Sequence, residues 1–354
     1  MSEDILNFKR ALYKELGDNL SATINFSPWA NLLAFDVIAN FVFGEAFGFL
    51  SVGSDFLNLI PTLDGRMRCI NALGTLPGWL RPVIQYLPDS FWTQKSALSL
   101  QMLAKNAFNR RKCAGANHRK DMLASLLTAK SEDGKPLPEE SIIAEAASFI
   151  SGGSDSTSTT LTHFVDLVSR NDSVRLRLQD ELDKAFPNCE ENWVPEGDIT
   201  GKLPYLQATL REVMRVRPAS ASGLERIVTE QPLDISGFKL PPGTLISAPT
   251  YTVHRNESIF KANELLLMIC QDPGKFDPDR WLGNTVMELN KAFAPFSIGP
   301  RGCMGKSFAW MELTKTIAML FRIFDIARAW NESTALREGF FLKCEECYVV
   351  IKRR

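Results

Sequence analysis

Phe296-Ser297-Ile298-Gly299-Pro300-Arg301-Gly302-Cys303-Met304-Gly305 runs straight into a strongly helical stretch that begins at Lys306. Gly299, Gly302 and Gly305 permit tight turns and let a flat ligand lie against the backbone. Cys303 then falls at the mouth of a helix. The positive end of the helix dipole and its free N–H groups would stabilise a thiolate there. Arg301, two residues earlier, offers a fixed cation to an anionic group of the same ligand. Phe296 is placed to cover the sulfur and keep water away. A single cysteine in a helical protein is ordinarily an inert core residue. Three glycines, an arginine and an aromatic around it turn the reading towards a ligand.

The chain around this segment has 354 residues, 45% hydrophobic and 23% charged, an ordinary globular composition. Lys and Arg number 40 against 41 Asp and Glu, so nucleic acid is not indicated as the main partner. The longest unbroken apolar run, Leu265 to Cys270, is too short to span a bilayer, and no transmembrane segment is expected. Met1-Ser2-Glu3-Asp4 does not open a secretory signal. With 7 cysteines in a chain of this size, a reducing compartment is favoured over a disulfide framework.

Outward from the loop the pattern is mostly helical. Ile5, Phe8, Leu12 and Leu16 recur at helical spacing behind Ser2, read as a cap. Ser27-Pro28 opens a second helix that stops at Gly44. Gly74 to Pro88 reads as loop, and so do the cationic stretches Arg110-Arg111-Lys112 and His118-Arg119-Lys120. Pro138 to Arg170 is the long element, about 50 Å if helical throughout. Midway it carries Ser151-Gly152-Gly153-Ser154-Asp155-Ser156-Thr157. Its two glycines cost about 2 kcal/mol of helix propensity and predict a kink, close packing or an approaching ligand. Ser173–Phe186, Leu203–Val216 and Lys306–Phe324 are further helices. Short strands are predicted over 224–228, 233–235 and 238–240, and a terminal hairpin over 339–351. The fold class is mainly α with small β-sheets, in one domain over 1–354.

The decisive loop resembles the haem-binding loop of the cytochrome P-450 superfamily, the haem-thiolate monooxygenases. Their Phe-x-x-Gly-x-Arg-x-Cys-x-Gly pattern is matched at Phe296, Gly299, Arg301, Cys303 and Gly305. The resemblance implies haem b with Cys303 as axial ligand and Arg301 beside a propionate. Glu212-Val213-Met214-Arg215 is similar to the family's Glu-x-x-Arg pair, and Arg280, in Phe276-Asp277-Pro278-Asp279-Arg280-Trp281, would complete a buried Glu–Arg–Arg network. Arg226 matches the family's strand arginine that contacts a propionate, although an ordinary exposed arginine fits the position as well. The Gly152–Thr157 segment resembles the oxygen-activating motif. Gly152 and Gly153 would open a groove for O2, with Asp155 and Ser156 as the acid–alcohol pair. Thr157 and Thr160 are neighbours able to substitute in part. Serine replaces the family's usual threonine and has one more rotamer, so looser coupling of oxygen use to product is expected.

By this resemblance the chain is a monooxygenase that inserts one atom of O2 into a small apolar organic substrate. Electrons would come from NADPH through a flavoprotein reductase. The Gly153-Ser154-Asp155-Ser156-Thr157 variant and the Leu203-Pro204-Tyr205 entry to the Glu-x-x-Arg helix resemble fungal microsomal members, which implies secondary metabolism or detoxification on the cytosolic face of the endoplasmic reticulum. No Trp-x-x-x-Arg pair precedes Phe35, and the family's N-terminal region is expected to be missing. A degenerate, non-catalytic haem-binding fragment is therefore the rival reading. The apolar stretch from Ala262 to Gln271 departs from the family's short loop and suggests retained or mis-joined sequence. Cys344-Glu345-Glu346-Cys347 is a lone Cys-x-x-Cys, read as non-metal. His118, His163 and His254 are scattered and suggest no metal cluster.

Overall fold

Thirty-one residues of uninterrupted helix, Glu139–Ser169, form the axis about which the other elements are arranged. The computed structural model describes residues 1–74, 76, 79–80, 94–114, 121–260, 272–283, 286–330 and 334–354. Within them the longer helices are α1 (Ser2–Leu16), α2 (Phe26–Phe43), α3 (Leu59–Gly74), α4 (Gln94–Ala114), α5 (Glu139–Ser169), α6 (Asp172–Ala185), α7 (Pro204–Val216) and α8 (Lys306–Ile323). The strands are β1 (Ser21–Asn25), β2 (Arg226–Ile227), β3 (Leu233–Ile235), β4 (Phe238–Leu240), β5 (Leu245–Ile246), β6 (Phe324–Arg328), β7 (Leu336–Arg337), β8 (Lys343–Cys344) and β9 (Tyr348–Arg353).

The main sheet has the antiparallel order β1-β9-β6, with Ser21 opposite Lys352 and Phe324 opposite Arg353. It ties the start of the chain to its end. β2 pairs with β5, β3 with β4 and β7 with β8 as separate ribbons. The expected terminal hairpin over 339–351 does not form. β9 takes β1 and β6 as partners instead, and β8 turns back onto β7. Along β9 the buried Val349 and Ile351 alternate with the half-buried Tyr348 and Val350, and a strand so placed pairs with whichever edges the core supplies.

α2 packs closely against α5. A Cβ on Gly153 would lie 2.6 Å from Cδ1 of Ile38, so glycine is what allows this approach. Ser158 Oγ, also on α5, donates to Asn31 Oδ1 at 2.9 Å. Asp36 is buried in the middle of α2 and accepts the backbone N–H groups of Gly48, Phe49 and Leu50 at 2.9, 3.1 and 2.9 Å. By length and composition α2 could cross a membrane, yet 67% of it is buried inside the fold, as in a core helix. The sequence reading missed this possibility because Asp36 breaks the apolar run.

α2 ends at Gly44 in the left-handed conformation, as expected, but starts at Phe26 with Asn25 as cap. Asn25 Oδ1 accepts from the Ser27 N–H, so Ser27 lies inside the helix. α1 likewise begins at Ser2, with Met1 at the cap position. Arg110-Arg111-Lys112 is not loop but the last turns of α4, where Arg111 pairs with Asp121. Most of Gly74–Pro88, all of His118–Lys120 and the Ala262–Gln271 stretch lie outside the described residues.

Candidate functional site

α7 carries its apolar residues on one face, and the fold buries that helix almost completely. Positions three apart share a face, so Glu212 and Arg215 meet. Both are fully buried. Arg215 Nε donates to Glu212 Oε2 at 2.8 Å and Nη2 to Oε1 at 2.7 Å. Arg280 Nε lies 3.4 Å from Oε1, completing the expected network. All five Arg215 N–H groups are engaged, and three of those on Arg280. Arg215 bonds the carbonyls of His254, Pro273 and Lys275, and Arg280 those of Phe260 and Asp272. Two further donors to Glu212 were not foreseen from sequence. Trp281 Nε1 reaches Oε2 at 2.8 Å and the Asp277 N–H reaches Oε1 at 2.9 Å.

His254 joins this network to the cysteine loop. Its carbonyl accepts from Arg215, and its Nε2 accepts from the Ala294 N–H at 3.0 Å. The ring stacks on Phe293. Burial depresses its pKa to about 4, so the ring is neutral and Nε2 is free to accept.

From Ala294 the loop turns sharply. Ser297 and Gly299 have φ of 59° and 78°, and the Cys303 N–H donates to the Phe296 carbonyl at 2.9 Å. Gly302 N–H donates to the Gly299 carbonyl, and α8 starts from Gly305. Cys303 is exposed. Phe296 is half-buried and leans towards Trp310, with centroids 6.1 Å apart, so within this chain the sulfur faces outwards and is not covered. Arg301 and Arg226 are exposed too, and among the described residues neither has an acidic partner. Arg226 donates to the neighbouring Glu225 carbonyl. Ile298 and Met304, on either side of the thiol, are 65% and 84% exposed.

The second group of expected residues lies on α5. Ser156 Oγ donates to the Gly152 carbonyl at 2.7 Å, and a Cβ on Gly152 would meet nothing within 4 Å. Gly152 and Ser156 end an open stripe, beyond which α5 is buried on all sides from Thr157 to Ser169. The two glycines therefore divide their work. Gly153 is filled by Ile38, and only Gly152 leaves a groove. Helical hydrogen bonding continues through both without a break. Asp155 and Ser156 are not bonded to each other. Asp155 is fully buried and paired with Lys343 at 2.9 Å, on a different side of the helix. Burial pushes its carboxyl up, against the pull of Lys343. Thr157 is buried, and Thr160 Oγ1 is bonded to the Ser156 carbonyl. A cavity of about 440 Å³ between Tyr13, Cys189, Arg322 and Arg353 is lined by none of these residues.

The model of the family described as "Cytochrome P450" matches residues 3–342. The chain belongs to the cytochrome P450 family. Benzoate 4-monooxygenase bphA of Aspergillus niger is 33% identical over 94% of this chain and 66% of that protein. Cytochrome P450 monooxygenase penB of Penicillium thymicola is 29% identical, covering 91% of this chain and 72% of that one. The chain thus spans slightly less than two thirds of bphA. The crystal structure of cytochrome P450DA heme domain superposes with a TM-score of 0.82 over 99% of this chain and 73% of that one. At 19% identity it establishes the mainly helical P450 fold with small sheets. Membership of the P450 family implies a haem held by a cysteine thiolate.

Proposed function

We propose that this chain binds haem b through Cys303 and acts as a fungal monooxygenase, inserting one atom of O2 into a small apolar organic substrate in secondary metabolism or detoxification. Electrons come from NADPH through a flavoprotein reductase. The observation that carries the reading is the exposed Cys303 thiol two residues from Arg301, a cation with no acidic partner among the described residues, on a loop backed by the buried Glu212–Arg215 pair. That donor set fits an iron porphyrin: a soft anionic ligand for the metal and guanidinium groups for the propionates. Bound there, the haem supplies O2 activation, favoured by electron density from the thiolate.

The other roles fall to side chains. Phe296 with Gly299 and Gly305 shapes the backbone so that the sulfur projects at the start of α8. Arg301 and Arg226 orient the ligand through its carboxylates. Gly152 leaves room beside α5. Ser156 gives a hydroxyl that can exchange the Gly152 carbonyl for a water, and Asp155 holds a proton behind it. Thr157 and Thr160 support that turn of helix.

The test is the reduced, carbon monoxide-treated protein after haem supplementation. A Soret band at the thiolate position is expected, and a protein that takes up no haem, or shows the band of nitrogen ligation, ends the proposal. The rival, a non-catalytic haem-binding fragment, draws on the β2 and β5 ribbon, which leaves Ile227 64% and Leu245 56% exposed. Incorporation of labelled O2 into product separates the two.

A further inference from the structure

The cleft of about 440 Å³ opens at the far end of α8 from the cysteine loop. α8 runs from Lys306 to Ile323, so the two places lie about 25 Å apart at 1.5 Å per residue. The end of α1, the 187–190 loop after α6, the end of α8 and the end of β9 form its walls. These walls are pinned. Arg322 Nε donates to the Phe186 carbonyl at 2.8 Å, and Nη2 to the Pro187 carbonyl at 3.1 Å. From α1 the buried Lys9 Nζ donates to the Trp193 carbonyl at 3.2 Å, further along the same loop. Arg354 is taken up by Asp183, at 2.7 and 3.1 Å.

Arg353 is different. Its guanidinium lies 5.2 Å from the Tyr13 ring centroid and has no acidic partner among the described residues. Tyr13 is itself fixed against Phe324, with ring centroids 5.3 Å apart, and strand pairing holds the Arg353 backbone opposite Phe324. The Tyr13 hydroxyl, the Asn188 amide and Arg322 Nη1 also line the cleft without a hydrogen-bond partner among the described residues. Burial raises the Tyr13 pKa, against the pull of Arg353, so the phenol keeps its proton and can donate.

We propose that this cleft binds a small organic phosphate, with Arg353 as the principal cation and Tyr13, Arg322 and Asn188 as further donors. A guanidinium fork grips two oxygens of a phosphate, and donors on separate walls suit the remaining corners of a tetrahedral anion. Stacking on Tyr13 already orders Arg353, so less side-chain entropy is lost on binding. The volume is far more than a bare phosphate ion needs, and Pro187 and Ile323 give apolar surface to an organic remainder. Glu190, the acidic side chain in the lining, opposes an anion and sets a limit on affinity. The site stands apart from Cys303 and does not depend on the haem reading.

Isothermal titration calorimetry of the full chain, at constant ionic strength, tests this with glycerol phosphate, inorganic phosphate and glycerate. Glycerol phosphate should bind saturably at one site, inorganic phosphate several-fold more weakly and glycerate more weakly still. Arg353→Met should weaken glycerol phosphate by about ten-fold or more, the worth of one charge-assisted hydrogen-bonded pair. Tyr13→Phe should weaken it less, and Glu190→Gln should tighten it. Arg353 and Glu190 are exposed, so both variants should unfold in urea as the unmodified chain does. No saturable heat with the unmodified chain, an affinity unmoved by Arg353→Met, or weakening in Glu190→Gln would each overturn the proposal. Glycerate bound as tightly as glycerol phosphate would overturn the choice of phosphate, and inorganic phosphate bound as tightly would overturn the organic remainder.

Discussion

Glu212 and Cys303 sit in parts of the chain joined by His254, and they are opposites. Around Glu212 two arginines, an indole and a backbone N–H converge on one carboxylate in the interior. Around Cys303 the thiol, the Arg301 guanidinium and two large apolar side chains are left open. Charges are tolerated in a core only when fully paired, so the first region is a finished piece of the fold. The second uses that piece as a foundation and keeps its own valences for something the polypeptide does not contain. The contrast makes an asymmetric prediction: damage to the first region should be read in stability, and damage to the second in ligand binding.

Cys303→Ser is the sharpest way to break that contrast. Its effect on the thiolate Soret band should be total, since an alcohol does not replace an anionic sulfur. Its effect on folding without haem should be small, within about 0.5 kcal/mol, because the side chain is exposed. Parallel urea unfolding and carbon monoxide difference spectra check both halves. A large loss of stability would mean the loop is held by its thiol and not by the network behind it.

Glu212→Ala is the converse. Two arginines would be left buried without their carboxylate, which costs about 3–5 kcal/mol. Unfolding in urea should shift accordingly, and haem uptake should fail only because the loop is no longer supported. A cost below about 1 kcal/mol would move the foundation elsewhere.

These two regions also differ in how far they could be read from the sequence. The loop was legible because each fixed position has its own physical reason: a turn, a ligand, a cation. The Glu212–Arg215 pair was legible from helical spacing, and Arg280 from the resemblance. Trp281 and His254 were not, because nothing local to either residue says which distant carboxylate or N–H it will meet. Nor was the strand order β1-β9-β6, which joins residues more than 300 positions apart. Asp155 and Ser156, neighbours in sequence, were read as the two members of an acid–alcohol pair. Successive residues on a helix point about 100° apart, and the fold gives them different surroundings.

His254 provides a graded test of the link between the regions. Burial holds it near pKa 4, below its ordinary value of about 6.5, so the folded protein binds fewer protons than the unfolded one across that window. The stability it contributes is complete above pH 6.5 and is lost as pH falls towards 4, by about 3 kcal/mol in all. His163 acts in the same sense, depressed to about 3. Asp36, Asp155 and Glu312, raised by burial, act in the opposite sense. The measurement is therefore the difference in acid sensitivity between the protein and His254→Gln, whose side chain does not titrate. Equal slopes would show that His254 is not the neutral acceptor for Ala294.

The smallest effect carries the finest distinction, between two adjacent glycines. In an open helix position alanine is favoured over glycine by about 1 kcal/mol. Gly152 faces open space, so Gly152→Ala should stabilise the haem-free chain by about that amount. Gly153→Ala gains the same propensity but drives a methyl into Ile38, where overpacking costs about 1–3 kcal/mol. Its net effect should be a loss of up to about 2 kcal/mol. Ligand binding should divide the other way: Gly152→Ala intrudes on the groove and weakens haem-dependent spectra or turnover, and Gly153→Ala does so only as far as α5 shifts. Combining Gly153→Ala with Ile38→Val, which opens space for the added methyl, should recover part of the lost stability. If both single substitutions behaved alike in urea and in the spectrum, the open groove at Gly152 and the tight contact at Gly153 would not be separate features of α5.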